Sequence, residues 1–533
     1  MSTATSAPSR RRKSSGRRRN ASEPVSGLLL PAPPNAQEKY NYTVRNQWVL
    51  TLCSVISFVC LVISQVELFR VGSWFWLCVP FLVFTVVYYL VSLRVNSFTP
   101  NFDLKEHRRL VRKWTPAEYP TVDVFLPVCG EPIETLHNTW THVRKLAEHY
   151  PGLVMPYVLD DAASPAVEAM AADFGFRYGV RENRGWFKKA GNLHYGFDRS
   201  DGEYILILDA DFAPRHDLLD EVLPYMDRDP KLGIVQSPQF FRVLDSQNWI
   251  ERGAGAIQEL FYRSVQVARQ RNNGAICVGS CAVYRREALA ENGGTTLIAH
   301  SEDVHTGFDL RGLGWDLQYI PVALSTGVCP DTAGAFQNQQ YRWCMGSMSL
   351  LTSKKFWQAK LGFTTRLCYV SGFLYYMHTA LMTFALPMLP IMLLVLQPRL
   401  LEVRHLVLVI PSLVYATVIF PLWHRAPYRL EAWAGRMMYG WSHFFAIWDL
   451  VRGRQMGWQP TGSNGAKKDK QRRFWWGVIF WSGGTAVVWV GAAVYRMFTM
   501  HPPDFALVLS SGLFYAVTVG RILIQPRSQD AVA

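Results

Sequence analysis

Six apolar segments, each close to the length that crosses a lipid bilayer, divide this chain into two groups of helices around a polar middle. A helix needs about twenty mostly apolar residues to span the hydrocarbon core. The segments that meet or approach that length are 48–69, 73–93, 367–396, 406–423, 474–495 and 505–524. The sequence therefore predicts a membrane protein with about six spans and one large domain between the second and third spans.

Lysine and arginine are concentrated on one side of these predicted spans. The formal net charge is +14, and much of it lies in the N-terminal tail and in the loop 425–473. The positive-inside rule then places both termini and the middle domain in the cytoplasm, at the plasma or inner membrane. Such basic segments are typical of contact with the lipid bilayer, and no recognisable nucleic-acid-binding fold accompanies them.

The cysteines and the N-terminus exclude two further interpretations. None of the nine cysteines forms a C-x-x-C pair, so neither a zinc site nor a disulfide framework is predicted. About forty-five polar residues precede the first apolar run, whereas a cleavable signal peptide places that run near its start. We expect the first run to remain as an anchor.

Short β-branched runs alternate with helical patterns in the middle of the chain. The runs 122–128, 154–160, 204–209 and 233–236 are typical of buried strands. This alternation predicts an α/β domain with a mostly parallel sheet covered by helices. In such sheets ligands bind at the carboxyl ends of the strands.

Two acidic clusters lie at those strand ends. Asp160 and Asp161 end one predicted strand, and Asp209 and Asp211 follow another. The Asp209 and Asp211 carboxylates lie so close that they repel each other, and a hard divalent cation with oxygen ligands would relieve that repulsion. Acidic residues that open a surface turn would give the same pattern, so each pair is a weak signal by itself.

Two further motifs combine groups that chemistry can use. Within Ser301-Glu302-Asp303 a carboxylate could deprotonate a hydroxyl, although charge at a helix N-terminus would look the same. The run Gln339-Gln340-Tyr341-Arg342-Trp343 joins a planar cation, which can pair with phosphate, to an aromatic face on which a sugar can stack. By itself this run could also be an interfacial anchor.

Taken together, these motifs are far more specific than each alone. In order they are Asp160-Asp161, Lys189-Ala190-Gly191-Asn192, Asp209-Ala210-Asp211, Gln236-Ser237-Pro238-Gln239, Cys277-Val278-Gly279-Ser280, Ser301-Glu302-Asp303 and Gln339 to Trp343. The series resembles the processive family 2 glycosyltransferases, and most closely the cellulose synthase group.

That resemblance implies a nucleotide-sugar-binding domain of the GT-A type embedded between transmembrane helices. It implies nucleotide-sugar contacts from Asp160, Asp161, Lys189, Asp209, Arg342 and Thr461. It implies acceptor contacts from Cys277, Gly279, Glu302, Gln339 and Trp343. Asp209 and Asp211 would hold Mg²⁺ or Mn²⁺, and Asp303 would be the general base.

Thr461 lies in Gly457-Trp458-Gln459-Pro460-Thr461-Gly462, at the place of the family's gating loop. A flexible linker is the alternative interpretation of that segment. Only two spans precede the domain, and the short sequence after Ile524 leaves no room for a cyclic-dinucleotide-binding β-barrel. We therefore expect regulation to differ from that of many bacterial cellulose synthases.

The motif Cys277-Val278-Gly279-Ser280 resembles the corresponding motif of glucan synthases more than that of hyaluronan and chitin synthases. The resemblance thus implies a UDP-sugar donor and a growing polysaccharide, with a β-1,4-glucan made from UDP-glucose as the first expectation. A 1,3- or mixed-linked glucan, or an N-acetylhexosamine polymer, stays open, as does a nucleotide-binding membrane transporter. Cell-envelope partners and self-association also stay open.

The predicted boundaries follow from these patterns. They are a basic disordered tail (1–46), two spans (47–95), the glycosyltransferase domain (96–350), an interface helix with two spans (351–425), an amphipathic interface helix with the gating loop (426–473), two spans (474–525) and a short tail (526–533).

Overall fold

The computed structural model describes residues 30–97, 101–401, 406–454 and 468–524. Helices α1 (Gln47–Val71) and α2 (Val79–Asn96) precede an α/β domain, called the central domain, which extends from residue 101 to residue 352. Its strands are β1 (Val122–Val128), β2 (Val154–Asp160), β3 (Arg177–Gly179), β4 (Tyr204–Ile207), β5 (Ala213–Pro214), β6 (Leu232–Gln236), β7 (Gln239–Phe240), β8 (Ala282–Arg285), β9 (Asp316–Tyr319) and β10 (Ser325–Thr326). Its helices are α3 (Leu104–Lys113), α4 (Ile133–His149), α5 (Pro165–Phe174), α6 (Lys188–Phe197), α7 (Leu218–Arg228), α8 (Trp249–Leu260), α9 (Gln266–Arg271), α10 (Arg286–Glu291), α11 (Glu302–Gly312) and α12 (Ala333–Thr352).

Seven strands of the central domain form one sheet, in the order β3-β2-β1-β4-β8-β6-β9. Only β8 runs antiparallel to its neighbours β4 and β6, and the other pairs are parallel. Strands β1, β2, β4 and β6 are buried along most of their length, as expected for a sheet covered on both faces. The predicted α/β domain with a mostly parallel sheet is confirmed.

Most strand boundaries agree with the predicted ones, and β6 begins at Leu232, one residue before its predicted start. Strands β1 and β2 have the predicted ends, whereas β4 ends at Ile207, two residues before the predicted end. The Asp209 carbonyl accepts a hydrogen bond from the Phe212 N–H at 3.1 Å, so the chain has begun to turn at Asp209. The turn directs the Asp209–Asp211 pair out of the sheet edge.

The apolar helices lie before and after the central domain. After it come α13 (Lys354–Gln358), α14 (Phe363–Leu396), α15 (Ile410–Trp423), α16 (Leu430–Val451), α17 (Lys468–Trp476), α18 (Gly484–Thr499) and α19 (Ala506–Leu523). Among the described residues, five helices are long and apolar enough to cross a membrane: Gln47–Arg70, Ser73–Asn96, Phe363–Leu396, Gln471–Thr499 and Pro502–Leu523. The predicted fourth span appears as the shorter apolar helix α15, and residues 402–405 before it lie outside the described ranges.

Helix α16 joins the central domain to the membrane-length helices. It packs against α8 and α12 of the central domain and against α14 and α19 on its other side. Two aromatic residues of this predicted interface helix are buried: Trp441 is 3% exposed and Tyr439 is 6% exposed. Helix α16 therefore connects the central domain to the membrane-length helices α14 and α19.

Residues 30–46 also belong to the packed structure. The Lys39 ammonium forms an ion pair with Asp217 at 2.7 Å and a second one with Glu221. The Lys39 carbonyl accepts a hydrogen bond from the Ala323 N–H at 2.8 Å. The segment predicted as a tail therefore contains, in its last part, a strap that lies across the central domain.

We expect Gly253→Ala to destabilise the contact between α8 and α16. A methyl group at Gly253 would lie 2.5 Å from the carbonyl oxygen of Glu431, so the two backbones would have to separate. Overpacking of this kind costs about 1–3 kcal/mol, which exceeds the gain in helix propensity from alanine. Thermal unfolding in detergent should show a lower melting temperature than for Gly435→Ala, whose methyl group would meet no atom closer than 3.8 Å. Equal melting temperatures would contradict this account.

Candidate functional site

The candidate site lies at the carboxyl edge of the main sheet, where three neighbouring strands end. Strand β1 lies between β2 and β4 and is parallel to both. Their ends therefore bring Glu131, Asp160 and Asp209 to the same edge. Glu131 was not among the predicted site residues, although it follows a buried strand as the other two acids do.

Asp160 and Asp161 shape the loops around this edge. The buried Asp160 carboxylate accepts hydrogen bonds from the N–H groups of Ala162 and Ser164, both at 2.8 Å, and from the Tyr178 hydroxyl at 3.0 Å. Asp161 forms a two-point ion pair with Arg181, with N–O distances of 2.6 and 2.5 Å. Both carboxylates thus have protein partners.

Arg181 extends this network towards Lys189. Its guanidinium donates to the carbonyl of Trp186 at 2.7 Å and to that of Lys188 at 2.9 Å. Phe187 and Lys188, the two residues before Lys189, both have positive φ angles, 45° and 53°. Since left-handed backbone is unfavourable for such residues, the bonds from Arg181 compensate for the strain. The Asp161–Arg181 pair therefore sets where the chain enters α6.

Lys189 connects three elements of the site. Its ammonium lies 2.5 Å from Oδ1 of Asp209 and 3.6 Å from Oε1 of Glu302. Burial acts to lower the pKa of Lys189, but the carboxylates of Asp209 and Glu302 raise it overall, so the side chain stays positively charged. This contact places α6, the end of β4 and the start of α11 around one cleft.

Asp211 lies in a crowded group of carboxylates. Burial, with repulsion from Asp209 as the next cause, raises the pKa of Asp211 to about 7, and Glu131 adds to the repulsion. The pKa of Glu131 is raised as well, first by burial and then by Asp209 and Asp160. The Glu131 carboxylate also accepts a hydrogen bond from the Cys129 N–H at 2.7 Å.

This crowding fits a hard divalent cation. Carboxylate oxygens are the ligands that Mg²⁺ and Mn²⁺ prefer, and a cation would remove the repulsion that raises the pKa of Asp211. Among the described residues, no group of three or more His, Cys, Asp or Glu side chains is arranged to hold a metal ion by itself. Asp209 and Asp211 therefore fit a cation that also takes oxygen ligands from a bound phosphate.

Asp303 lies at the first turn of α11, beside Glu302. Burial and then repulsion from Glu302 raise the pKa of Asp303 to about 7, and Lys189 acts in the opposite direction. The Val304 N–H donates to the Asp303 carboxylate at 2.8 Å. Gly279 has a φ of +81°, and a Cβ atom there would lie 2.8 Å from Oδ2 of Asp303. Glycine is therefore required at position 279 for two reasons, its backbone conformation and the space for Asp303.

The Cys277–Ser280 loop is held by glutamine side chains from the neighbouring strands. Gln236 Nε2 donates to the Ser280 carbonyl at 2.9 Å, and its Oε1 accepts from the Val278 N–H at 3.0 Å. Gln239 Nε2 donates to the Val278 carbonyl at 2.9 Å. The Ser280 hydroxyl in turn accepts from the Asp209 N–H at 3.0 Å. The loop thus connects Asp209 to Gly279 and explains why the two glutamines appear in the motif series.

Cys277 is part of this packing rather than of an open surface. Its thiol is 1% exposed and lies 3.0 Å from the Tyr284 hydroxyl and 3.6 Å from Gln236 Oε1. Burial, followed by the charge of Asp303, raises the pKa of the Cys277 thiol to about 12. The thiol therefore stays protonated at neutral pH, and its predicted contact with an acceptor remains a prediction.

Helix α12 brings Arg342 to the cleft. Burial lowers the pKa of the Arg342 guanidinium, while the carboxylates of Asp209, Glu302, Asp211 and Asp303 act to raise it. The charges of Asp209, Asp211, Glu302 and Asp303 therefore all act on Arg342. Gln339 and Trp343 lie on the same helix and are partly buried.

His300 is a second residue that the sequence analysis missed. Burial, with Arg342 and Lys188 adding to it, lowers the pKa of His300, so the imidazole is neutral at neutral pH. Its Nδ1 atom is buried without a hydrogen-bond partner in the described part of the chain. No motif in the sequence indicated this residue. Thr461 and the segment 457–462 lie outside the described residues.

Comparisons with known proteins agree with the motif series. Residues 204–423 match the sequence model of glycosyl transferase family group 2. The chain is 31% identical over 273 residues to the UDP-forming cellulose synthase catalytic subunit of Pseudomonas fluorescens (strain SBW25), covering 50% of this chain and 36% of that protein. It is 32% identical over 261 residues to cellulose synthase 1 of Komagataeibacter xylinus, covering 48% of this chain and 17% of that protein.

Among solved structures, the mannosyltransferase PcManGT from Pyrobaculum calidifontis, in complex with GDP-Man and Mn²⁺, aligns with 70% of this chain and 98% of its own, at a TM-score of 0.46 and 15% identity. The chain spans well under two thirds of the length of the two cellulose synthases. The resemblance to family 2 glycosyltransferases and to the cellulose synthase group is confirmed. So is the fold class, a GT-A type domain embedded among membrane-length helices.

We expect Gln236→Leu to destabilise the protein, because this side chain holds the Cys277–Ser280 loop. Leucine is similar in size, but it leaves the Val278 N–H and the Ser280 carbonyl without their partner in a buried place. An unsatisfied buried polar group costs about 1–3 kcal/mol. The melting temperature should fall clearly below that of Gln358→Leu, which changes an exposed glutamine. An unchanged melting temperature would show that Gln236 does not hold the loop.

Proposed function

We propose that this chain is a processive, inverting glycosyltransferase that polymerises a β-1,4-linked glucan from UDP-glucose and moves it across the membrane. One observation supports this above all. Lys189, Asp209, Asp303 and Arg342, which come from four separate elements, surround a single cleft at the carboxyl edge of the sheet. A site of this composition combines phosphate binding with a base.

Asp303 has the properties of the general base. A sugar hydroxyl is a poor nucleophile unless its proton is removed during attack, and a base works best when its pKa is near the working pH. In the proposed step the acceptor oxygen bonds to the anomeric carbon on the face opposite the diphosphate. Its proton passes to Asp303, and UDP leaves with the electrons of the broken C–O bond, so an α-linked donor yields a β-linked product.

The positive groups of the cleft would stabilise the departing UDP. Lys189 and Arg342 would lie beside the developing diphosphate charge, in a partly buried environment that strengthens charge pairing. A Mg²⁺ or Mn²⁺ ion held by Asp209 and Asp211 would supply further charge neutralisation when bound. No acid is then needed to protonate the leaving group, which distinguishes this site from that of most glycoside hydrolases.

Helix α12 would hold the acceptor end. Trp343 offers an aromatic face for sugar stacking, one residue from Arg342. Glu302, Gly279 and Gln339 are the other proposed acceptor contacts, since they lie beside Asp303 or on α12. The base, the stacking platform and the phosphate-binding cation would then act on neighbouring parts of one substrate.

A polar and aromatic cluster next to α12 supports movement of the product. The ring of His443 on α16 lies 4.8 Å from that of Tyr376 on the membrane-length helix α14. Its Nδ1 atom is 2.7 Å from the Thr379 hydroxyl, and its Nε2 atom is buried without a partner in the described ranges. Such polar and aromatic side chains are better suited to contact the hydroxyls and ring faces of a sugar than to contact lipid. We propose that the growing polysaccharide leaves the site along this cluster.

The Lys/Arg distribution supports a plasma-membrane location with the central domain in the cytoplasm, where UDP-sugars are made. The UDP-sugar, the growing polysaccharide and the bilayer are then the proposed partners. The deciding experiment incubates membranes that contain the chain with several labelled UDP-sugars and Mg²⁺ or Mn²⁺. The product is then digested with linkage-specific glucanases.

Digestion by a β-1,4-glucanase of polymer made from UDP-glucose is the expected result. Digestion by a β-1,3-glucanase, or incorporation of N-acetylhexosamine, would change the product and keep the mechanism. Nucleotide binding without release of UDP from any donor would reject the enzyme and favour a transporter.

We expect Asp303→Asn to abolish turnover and to leave UDP binding largely intact. The amide keeps the size of the side chain but cannot accept the hydroxyl proton, whereas the phosphate contacts lie on Lys189 and Arg342. Removing a general base costs about 10²–10⁴ in rate. UDP release and UDP affinity, measured on the same purified protein, check this. Weakened UDP binding with residual turnover would refute the assigned role.

We expect the activity to rise with pH through about 7, because Asp303 must be deprotonated to act and its pKa is raised to about 7. Glu302→Gln removes a negative neighbour, so the pKa of Asp303 should fall and the acid limb of the kcat profile should move to lower pH. Glu118→Gln, at an exposed position before β1, is the matched control. Identical profiles for the two variants would argue against Asp303 as the base.

A further inference from the structure

A buried carboxylate outside the cleft ties together three helices. Asp449, in the last turn of α16, is 4% exposed. Its two oxygens accept from the Arg473 guanidinium at 2.8 and 2.5 Å, and the Tyr341 hydroxyl donates to Oδ2 at 2.9 Å. Tyr341 is on α12 and is 3% exposed. We call these three residues the clasp.

The clasp lies where a membrane-length helix begins. Arg473 belongs to α17, the start of the apolar stretch Gln471–Thr499. Its guanidinium also lies 4.8 Å from the ring centre of Phe445 on α16. Helix α17 meets α12 a second time, because a Cβ atom at Gly334 would lie 2.8 Å from Nε2 of Gln471. Helix α12 is therefore held at two points. Gln471 of α17 lies against Gly334, and Asp449 of α16 bonds both to Tyr341 and to Arg473 of α17.

The position of Tyr341 on α12 gives the clasp a consequence for the site. Tyr341 directly precedes Arg342, and consecutive residues on a helix point about 100° apart. The Tyr341 hydroxyl bonds to Asp449, whereas the carboxylates of the cleft, such as Asp209 and Asp303, are the charges that act on Arg342. A rotation of α12 that broke the first contact would also turn Arg342 away from its place. Asp449 is buried, so its carboxylate would be left without compensation if its partners moved away.

We infer that Tyr341, Asp449 and Arg473 are positioning residues that fix the rotation of α12 and so hold Arg342 against the diphosphate of the bound nucleotide. The inference rests on the proposed function. None of the three needs to touch substrate, and they act through Arg342. They also make the affinity of the cleft for nucleotide depend on how the helices after the central domain are packed.

The test measures UDP affinity in the presence of Mn²⁺ by calorimetry on the full chain in detergent. Tyr341→Phe removes only the hydroxyl, so the ring still packs and the fold is kept. It should weaken UDP binding about fivefold to tenfold, because small displacements of a binding group carry large penalties. Asp449→Asn should have the same or a larger effect. Tyr150→Phe, which removes the buried hydroxyl bond to the Pro120 carbonyl at 3.0 Å, is the matched control and should leave UDP affinity unchanged.

A second arm separates positioning from general loss of stability. In an Arg342→Ala background, Tyr341→Phe should have no further effect on UDP affinity, because the residue through which it acts is gone. An equal weakening in both backgrounds would overturn the inference, and so would an unchanged affinity in Tyr341→Phe. If Arg342→Ala itself left UDP binding intact, the contact between Arg342 and the diphosphate in the proposed function would be wrong.

Discussion

Like charges brought to one sheet edge are the constraint on which the rest of this structure depends. Parallel strands deliver acidic residues from β1, β2 and β4 to the same edge, and repulsion between them would destabilise the fold unless opposite charges compensated. Asp161 is compensated by Arg181, and Asp209 by Lys189. The raised pKa of Asp211 shows that compensation there is incomplete. That incompletely compensated group is where we propose that a divalent ion and a diphosphate bind.

The second constraint is the link between the sheet and the membrane-length helices. Helix α12 carries Arg342 towards the cleft and is packed against α16, which in turn packs against α14 and α19. Close backbone contact at Gly253 and the buried Asp449 make this link rigid. In the proposed function the acceptor end must stay in register with the base after every step, and a link of this kind would keep it there.

Much of the fold followed from local patterns. The strands Val122–Val128 and Val154–Asp160 have the predicted ends because continuous apolar runs bounded by turn residues leave one good choice. Five of the predicted spans correspond to helices of membrane length. The fourth corresponds to the shorter apolar helix Ile410–Trp423, which begins with Pro411 in its first turn. Residue order also indicated Asp209, Asp211, Asp303 and Arg342 through the resemblance.

Glu131, His300 and the clasp could not be read in the same way. Glu131 follows a strand, but no second acid marks it, and His300 lies in a loop without a distinctive pattern. The clasp joins Tyr341, Asp449 and Arg473, which are far apart in the sequence. No local sequence pattern indicates that they are in contact.

The sequence by itself thus determined the membrane-length segments, the α/β class and the residue types available for chemistry, since these depend on hydrophobic period and local motif. Only the tertiary structure decided which carboxylates share a cleft, which are held by arginine, and how α12 is oriented. Those properties arise from burial and charge pairing between distant residues, and such interactions leave no periodic trace in the order of amino acids.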